Sequence, residues 1–421
     1  MKRFKKFLKI LGPGFITGAS DDDPSGIATY AQTGAEFGYS QLWTALFSFP
    51  FMTVMQEMSG RIGLVTGRGL AGVIREHYPK SLLYGAVALL LIANTINIGA
   101  DLGAMAAAGQ LLLGIPFVVW LVVVTVATLL LEIFVSYPVY ARFLKYLALS
   151  LFAYIVVVFV VKQDWGAIIF STFIPQFAFS KAYLLNIVAL LGTTISPYLF
   201  FWQADEEVEE EIEHRKLKVL GKGIPHIARN DIKQMRFDTV FGMFFSNLVM
   251  FFIIVTTAST LHLHGIMKIE TAGEAAQALR PIAGDFAAFL FSLGILGTGF
   301  LAVPILSGSA SYAISEGFRW NAGLSKKFNQ AHGFYAVIAI ATIVGLLVNL
   351  SGIKPFIMLY YAAVLNGVTA PPLMLLILII ANNRKIMKGH TNSLLMNVLS
   401  AIIILVMAIA AIILLLSLIV K

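Results

Sequence analysis

The sequence predicts an all-α polytopic membrane protein of about eleven transmembrane helices, arranged as two inverted halves of five plus one. Three observations carry that prediction. Of 421 residues, 58% are hydrophobic and only 12% charged, against about 25% charged in soluble chains, and mean hydropathy is +0.85. Eleven apolar stretches approach the roughly 20 residues that cross a bilayer. The first and the sixth of these are interrupted by proline, glycine and polar residues.

The stretches run near 13–37, 40–62, 81–112, 115–134, 138–161, 183–204, 237–260, 278–309, 332–350, 354–381 and 394–420. Only the connections at 163–182 and 205–236 are long and polar, so no separate soluble domain is expected. Residues 1–162 read as a first repeat (helices 1–5), 163–382 as a second (helices 6–10) and 383–421 as an added helix. The basic N-terminus is interrupted by Gly12, Pro13 and Gly14 with no small-residue cleavage site after it, so it does not read as a signal peptide. The absence of cysteine excludes disulfides, thiolate metal sites and cysteine nucleophiles. No phosphate-binding G-x-x-x-x-G-K-[ST] loop and no H-E-x-x-H helix occurs. Neither ATP-driven transport by this chain nor an enzyme is expected, and no catalytic residue is assigned.

The net charge of +8 is one-sided along the chain rather than a nucleic-acid footprint. With the N-terminus inside, the tail and the even-numbered loops hold 24 of the 30 lysines and arginines; only Lys162, Lys181, Lys268, Arg280, Lys354 and Lys421 fall elsewhere. Cytoplasmic loops are the basic ones, which places the N-terminus in the cytoplasm and the C-terminus outside.

In the first span, PGFITGASDDDPSGIATYAQTGAEFG, helix cannot continue through Asp23-Pro24-Ser25-Gly26. Proline removes an amide donor and disfavours helix in the residue before it. The sixth span breaks at Gly192 and Ser196-Pro197. Irregular backbone at membrane depth is tolerated only when buried in protein or lining a cavity. Paired breaks in corresponding halves point to an inverted-repeat secondary transporter with its site between them. A charge at the bilayer centre costs about 2.5–3.5 kcal/mol, so Asp23 is a binding residue. Asp21 and Asp22 either join it or only line an aqueous vestibule.

These residues resemble the Nramp family of divalent-metal transporters. GPGFITGASDDDPSG (12–26) is similar to that family's first-helix segment, and QEMSGRIGLVTGRGLAGVIRE (56–76) to its stretch after the second helix. INIGADLGAMAAAGQLLLGIP (96–116), GTTISPYLFFWQ (192–203) and LNGVTAPPLML (365–375) resemble its third, sixth and tenth helices. The resemblance implies a LeuT-type fold in a bacterial inner (plasma) membrane. It also implies a divalent metal ion as transported substrate, with no permanently bound cofactor. The bilayer and a small inorganic cation are the partners it implies, with no nucleic acid and no obligatory protein partner.

The family's ligand positions match in part. Asp23 and Pro24 fall on its aspartate and proline, while Ser25 replaces its glycine and Gly26 its metal-binding asparagine. Ser196 stands in place of its methionine, Thr193 in place of an alanine that offers a carbonyl, and Asn366 on its tenth-helix glutamine. Tyr198 and Gln203 occupy its two histidine positions and Ala104 its third-helix glutamate, whereas Asp101 matches the neighbouring aspartate. A set of Asp23, Asp22, Asp21, Ser25, Ser196, Thr193 and Asn366 is all oxygen, which suits magnesium, calcium or manganese more than softer metals, with magnesium or manganese the expected ion. Gly26 in place of asparagine is expected to widen the site for a hydrated ion. With Tyr198, Gln203 and Ala104 on the proton route, uncoupled transport is expected, leaving Asp101 and Gln203 as coupling or pathway candidates.

Two other classes compete. Asp23, Tyr198, Phe201 and Trp202 could hold an organic cation through carboxylate and cation–π contact, although Phe201 and Trp202 more simply face lipid or pack. A membrane sensor would bind ligand without flux. The run from Asp205 to Glu213 reads as a solvated helix, or else as an acidic mouth that gathers cations. His262 and His264 read as a surface pair, and nothing singles out Glu57, Asp238, Asp285 or Glu316.

Overall fold

The structure, a computed structural model, describes residues 12–135, 152–178, 180–221, 223, 225 and 227–419. The described residues form helices and no strand. The first span is two helices, α1 (Pro13–Asp21) and α2 (Pro24–Phe37). The second is α3 (Trp43–Thr66), followed by the short α4 (Leu70–His77). α5 (Lys80–Leu113) and α6 (Phe117–Phe134) are the third and fourth. Of the fifth, α7 (Phe152–Val160) is described. The rest of that span, with Arg142 and Lys145, lies outside the described residues, as do Lys2, Arg3, Lys5, Lys6, Lys9, Lys222 and Lys421. After α8 (Trp165–Phe173) the sixth span is again double, α9 (Lys181–Thr194) and α10 (Pro197–Glu213). Spans seven to eleven are α11 (Arg229–Thr260), α12 (Ala287–Phe318), α13 (His332–Val348), α14 (Pro355–Asn382) and α15 (Leu394–Ile419).

Eight stretches among the described residues are long and apolar enough to cross a bilayer. The first span and α3 fall outside that set because polar residues interrupt them, and the fifth because only part of it lies among the described residues. Three aspartates interrupt the first, and Gln56, Glu57 and Arg61 interrupt α3.

The two breaks share one backbone form. Asp22 (φ −83°, ψ 49°) and Asp23 (φ −67°, ψ 170°) leave the helical region ahead of Pro24. Ile195 (φ −120°, ψ 61°) and Ser196 (φ −79°, ψ 129°) do so ahead of Pro197. A proline at the first helical position has no amide to satisfy there, so each proline ends one helix and starts the next.

Helices of the first, second, sixth and seventh spans pack together, those of the third, fourth, eighth and ninth form a second group, and α14 touches both. Small residues allow the closest approaches, as is usual between membrane helices. Gly14 and Gly18 of α1 lie directly on Thr239 and Gly242 of α11, where any Cβ would enter the opposing backbone. Gly192 of α9 meets Gly367 of α14 in the same way.

Polar contacts gather the expected cytoplasmic segments at one end. Asp238 of α11 accepts from the amides of Gly12 (2.9 Å) and Gly14 (2.7 Å), capping α1. Glu57 takes a hydrogen bond from Arg61 (3.1 Å) and one from Arg236 (2.6 Å), while Arg61 also reaches Asn392 before α15. Glu316 caps α4, so three of the four acids that nothing in the sequence singled out are structural links. The fourth, Asp285, is exposed.

Candidate functional site

The site is built around Asp23, which caps α2. Its Oδ1 accepts from the Gly26 amide (2.7 Å) and the Ser25 hydroxyl (2.6 Å), satisfying donors that a helix start leaves open. Its Oδ2 accepts from Asn97 Nδ2 of α5 (3.2 Å) and lies 3.3 Å from the Tyr198 hydroxyl of α10. That hydroxyl is also 3.2 Å from the Ser20 carbonyl. One carboxylate thus joins the first, third and sixth spans.

Asp101 lies one turn beyond Asn97 and is fully buried, with no hydrogen-bond partner at either oxygen. It is close enough for the charge of Asp23 to act on it. Asp21 and Asp22 are 0% and 2% exposed, so the vestibule reading fails for both: α11 and the break itself enclose them. Asp21 Oδ2 accepts from Ser246 (2.5 Å), while Asp21 Oδ1 and Asp22 Oδ1 have no partner. None of these four carboxylates has a lysine or arginine partner among the described residues. Buried charges are otherwise paired or metal-bound.

The sixth-span candidates are arranged differently. The Ser196 hydroxyl donates back to the carbonyls of Gly192 (2.9 Å) and Thr193 (2.7 Å), so Ser196 and the Thr193 carbonyl occupy each other. Gly26 does not widen the site in this conformation. A Cβ there would lie 3.1 Å from the Asp21 carbonyl oxygen and 3.3 Å from Thr193 Oγ1, because α9 closes over it. Asn366 is buried with its amide nitrogen unpartnered, and no hydrogen bond joins it to Asp23.

Gln203 does not reach Asp23 either. It donates to Glu207 (2.8 Å), beginning a ladder Gln203, Glu207, Glu211 along α10. Glu207 and Glu211 are buried and border a cleft shared with Asp238 and Asp231. This corrects the reading of that run as a solvated helix: α10 docks against α3 and α1, and its acidic face turns inward. Trp202 packs edge-on to Tyr312 (6.4 Å) and against Gly308, and Phe201 is fully buried, so both pack in the core. His262 and His264 each bond a backbone carbonyl, Ala35 (2.8 Å) and Thr260 (2.6 Å). Among the described residues no three histidine, aspartate or glutamate side chains converge as a metal cluster.

A family model described as "Natural resistance-associated macrophage protein-like" (Nramp) matches residues 14–417. The chain belongs to the Nramp family. Family relatives include the "divalent metal cation transporter MntH" of Caldanaerobacter subterraneus subsp. tengcongensis, 26% identical over 375 residues, covering 87% of this chain and 83% of the relative. The protein of the same name from Yersinia pestis is 27% identical over 317 residues, covering 74% and 73%. Among solved structures, a manganese transporter of Eremococcus coleocola superposes with TM-score 0.75 at 15% identity, covering 97% of this chain and 86% of that one. Mhp1, facing inward, gives 0.57 at 13% identity over 96% of this chain and 89% of its own. MhsT with L-phenylalanine gives 0.59 at 12%, over 96% and 98%. These likenesses show the LeuT-type fold that the family resemblance implied.

The sequence did not single out Asn97. Its signal was present: an asparagine four residues before Asp101 in a span of small apolar residues, on the face that meets the first break.

Proposed function

We propose that this chain moves a divalent metal ion across the bilayer by alternating access, with Asp23 Oδ2 as its central ligand. One observation carries the reading: Asp21, Asp22 and Asp23 are buried at the first helix break, with Asp101 of α5 buried near Asp23, all without a basic partner, an arrangement that a cation neutralises. The names of the relatives support the substrate class. Tyr198, Ser196, Thr193, Asn366 and the unpartnered Asn97 Oδ1 add only oxygen donors. Few ligating carboxylates and retained waters suit magnesium or manganese. Residues 1–162 and 163–382 serve as the two repeats and 383–421 as an accessory helix, in a bacterial plasma membrane with the N-terminus inside. Movement is uncoupled from protons, because Gln203 and Ala104 do not titrate and tyrosine does so near 10. The membrane potential supplies about 2.3 kcal/mol per charge per 100 mV.

Proteoliposomes containing a pH-sensitive dye test this across magnesium, manganese, calcium and cadmium. Saturable, voltage-driven uptake of magnesium or manganese without acidification is expected, and it is lost in Asp23→Asn. Uptake indifferent to Asp23→Asn would overturn the site. Inhibition by amines but not metals would make the substrate an organic cation, and ligand binding without flux would make the protein a sensor. Acidification abolished by Asp101→Asn would overturn uncoupled movement.

A further inference from the structure

The ends of α4 and α12 enclose a second polar cavity of about 270 Å³ that shares no residue with the Asp23 site. Its walls carry Arg68, Arg75 and Arg319 beside the carboxylate of Glu316, with Lys326 near Glu209 at its rim. That carboxylate is already engaged by the amides of Gly69 and Gly72, each at 2.8 Å. Arg68 pairs with Glu76 (2.7 Å). Arg75 donates one nitrogen to the Glu316 carbonyl (2.6 Å), but its Nε is buried and has no partner. Burial first, and then the charge of Arg319, draws the Arg75 guanidinium below its ordinary value, with Arg68 adding to the effect and Glu316 and Glu76 opposing it. Arg75 thus sits beside the like charges of Arg319 and Arg68 as well as the carboxylates of Glu316 and Glu76, with its Nε open to an acceptor.

An aromatic stack adjoins this cavity. Tyr84 stacks on Phe318 (6.3 Å) and Phe318 on Trp320 (5.5 Å), all about half exposed, and Trp320 also lines the cavity. Exposed Trp and Tyr at helix ends mark the level of lipid headgroups. Guanidinium forks match phosphate oxygens in pairs. We propose that this cavity binds a phosphate group, supplied by an anionic lipid headgroup at the membrane edge, with Arg75 and Arg319 as its principal donors.

Native mass spectrometry of the full chain, released from detergent containing equal phosphatidylglycerol and phosphatidylcholine, tests the proposal. One phosphatidylglycerol should be retained preferentially. Arg319→Gln, at an exposed position that spares the fold, should weaken retention about fivefold, and adding Arg75→Gln should weaken it further. Arg384→Gln, an exposed cation at the same end, should leave it unchanged. Inorganic phosphate in lipid-free detergent separates the two sources. If it raises the unfolding temperature of the unaltered chain and displaces the lipid, while the double variant does not respond, the site is a phosphate site filled from solution. Equal retention of both lipids with no response to phosphate would overturn the proposal. So would a double variant that retains phosphatidylglycerol like the unaltered chain.

Discussion

The two helix breaks have the same backbone form and opposite side-chain economies. At the first, one oxygen of Asp23 caps the outgoing helix α2 and leaves the other to face α5 and α10. At the sixth, Ser196 ignores the outgoing helix and closes the end of the incoming one, donating to Gly192 and Thr193. A carboxylate has two oxygens and about four acceptor sites, so it holds the backbone and still presents charge. A serine engaged this way presents only lone pairs. On the reading proposed above, the first break is the ion-binding half and the sixth mainly its wall.

The largest expected effect separates the two tasks of Asp23. Asp23→Asn keeps a capping oxygen but loses the charge. Flux in proteoliposomes should therefore fall more than about 100-fold, on the scale of losing one partner of a buried charged pair, with little change in unfolding temperature. Asp23→Ala should lose flux equally and also about 1 kcal/mol of stability, the usual value of a cap. If the asparagine variant unfolds as readily as the alanine one, the division between the two oxygens is wrong.

Next in size is Tyr198→Phe, which removes a hydroxyl from the charged side of the site. Hydrogen bonds to charged groups contribute about 1.5–3 kcal/mol, so uptake should drop about tenfold or more, whereas Ser196→Ala should cost under about threefold. Comparable losses in both variants would erase the contrast between the breaks.

A smaller effect belongs to the acidic cleft. Burial pushes Glu211 up to about 8 and raises Glu207 as well. Glu207→Gln with Glu211→Gln should therefore lower the initial uptake rate about threefold at low ionic strength only at alkaline pH, where the carboxyls are ionised. The difference should vanish near 0.5 M salt, since screening lengths there are only a few ångströms. A deficit unchanged by salt would mean the pair is structural.

Smallest is a change in preference rather than rate. Ser196→Met introduces a soft thioether and should favour cadmium over magnesium by a few fold in competition assays. Pairing it with Gly26→Asn, which restores the family's asparagine, should bring no further gain, because a Cβ there meets the Asp21 carbonyl and Thr193. No change in preference with Ser196→Met would place this residue outside the ligand shell.

Much of this was legible locally. Both breaks were readable from single segments, Asp23-Pro24 with its run of aspartates and Ser196-Pro197 four residues after Gly192. Proline alone does not decide, since Pro50, Pro304, Pro371 and Pro372 lie inside continuous helices. What depended on docking was not. Glu207 and Glu211 have the spacing of a solvated helix, and only the seating of α10 against α3 and α1 turns them inward. Gly26 looked like space until α9 closed over it. Asn97 carries no charge to mark it, and its role arises from a neighbour 74 residues away.

The seam between α1 and α11 has a mechanical consequence. Gly14 and Gly18 rest on Thr239 and Gly242 without room for a methyl group, and Asp238 fastens the first turn of α1. The α1 half of the first span is therefore riveted to its neighbour and should not act as a free flap. Opening at that end should then tilt two helices as one plate, with the bend concentrated in the two non-helical residues Asp22 and Asp23. The chain has no cysteine of its own, so paired spin labels can be placed at will. Labels on α1 and α11 should hold one distance throughout the cycle, while labels on α1 and α5 should not.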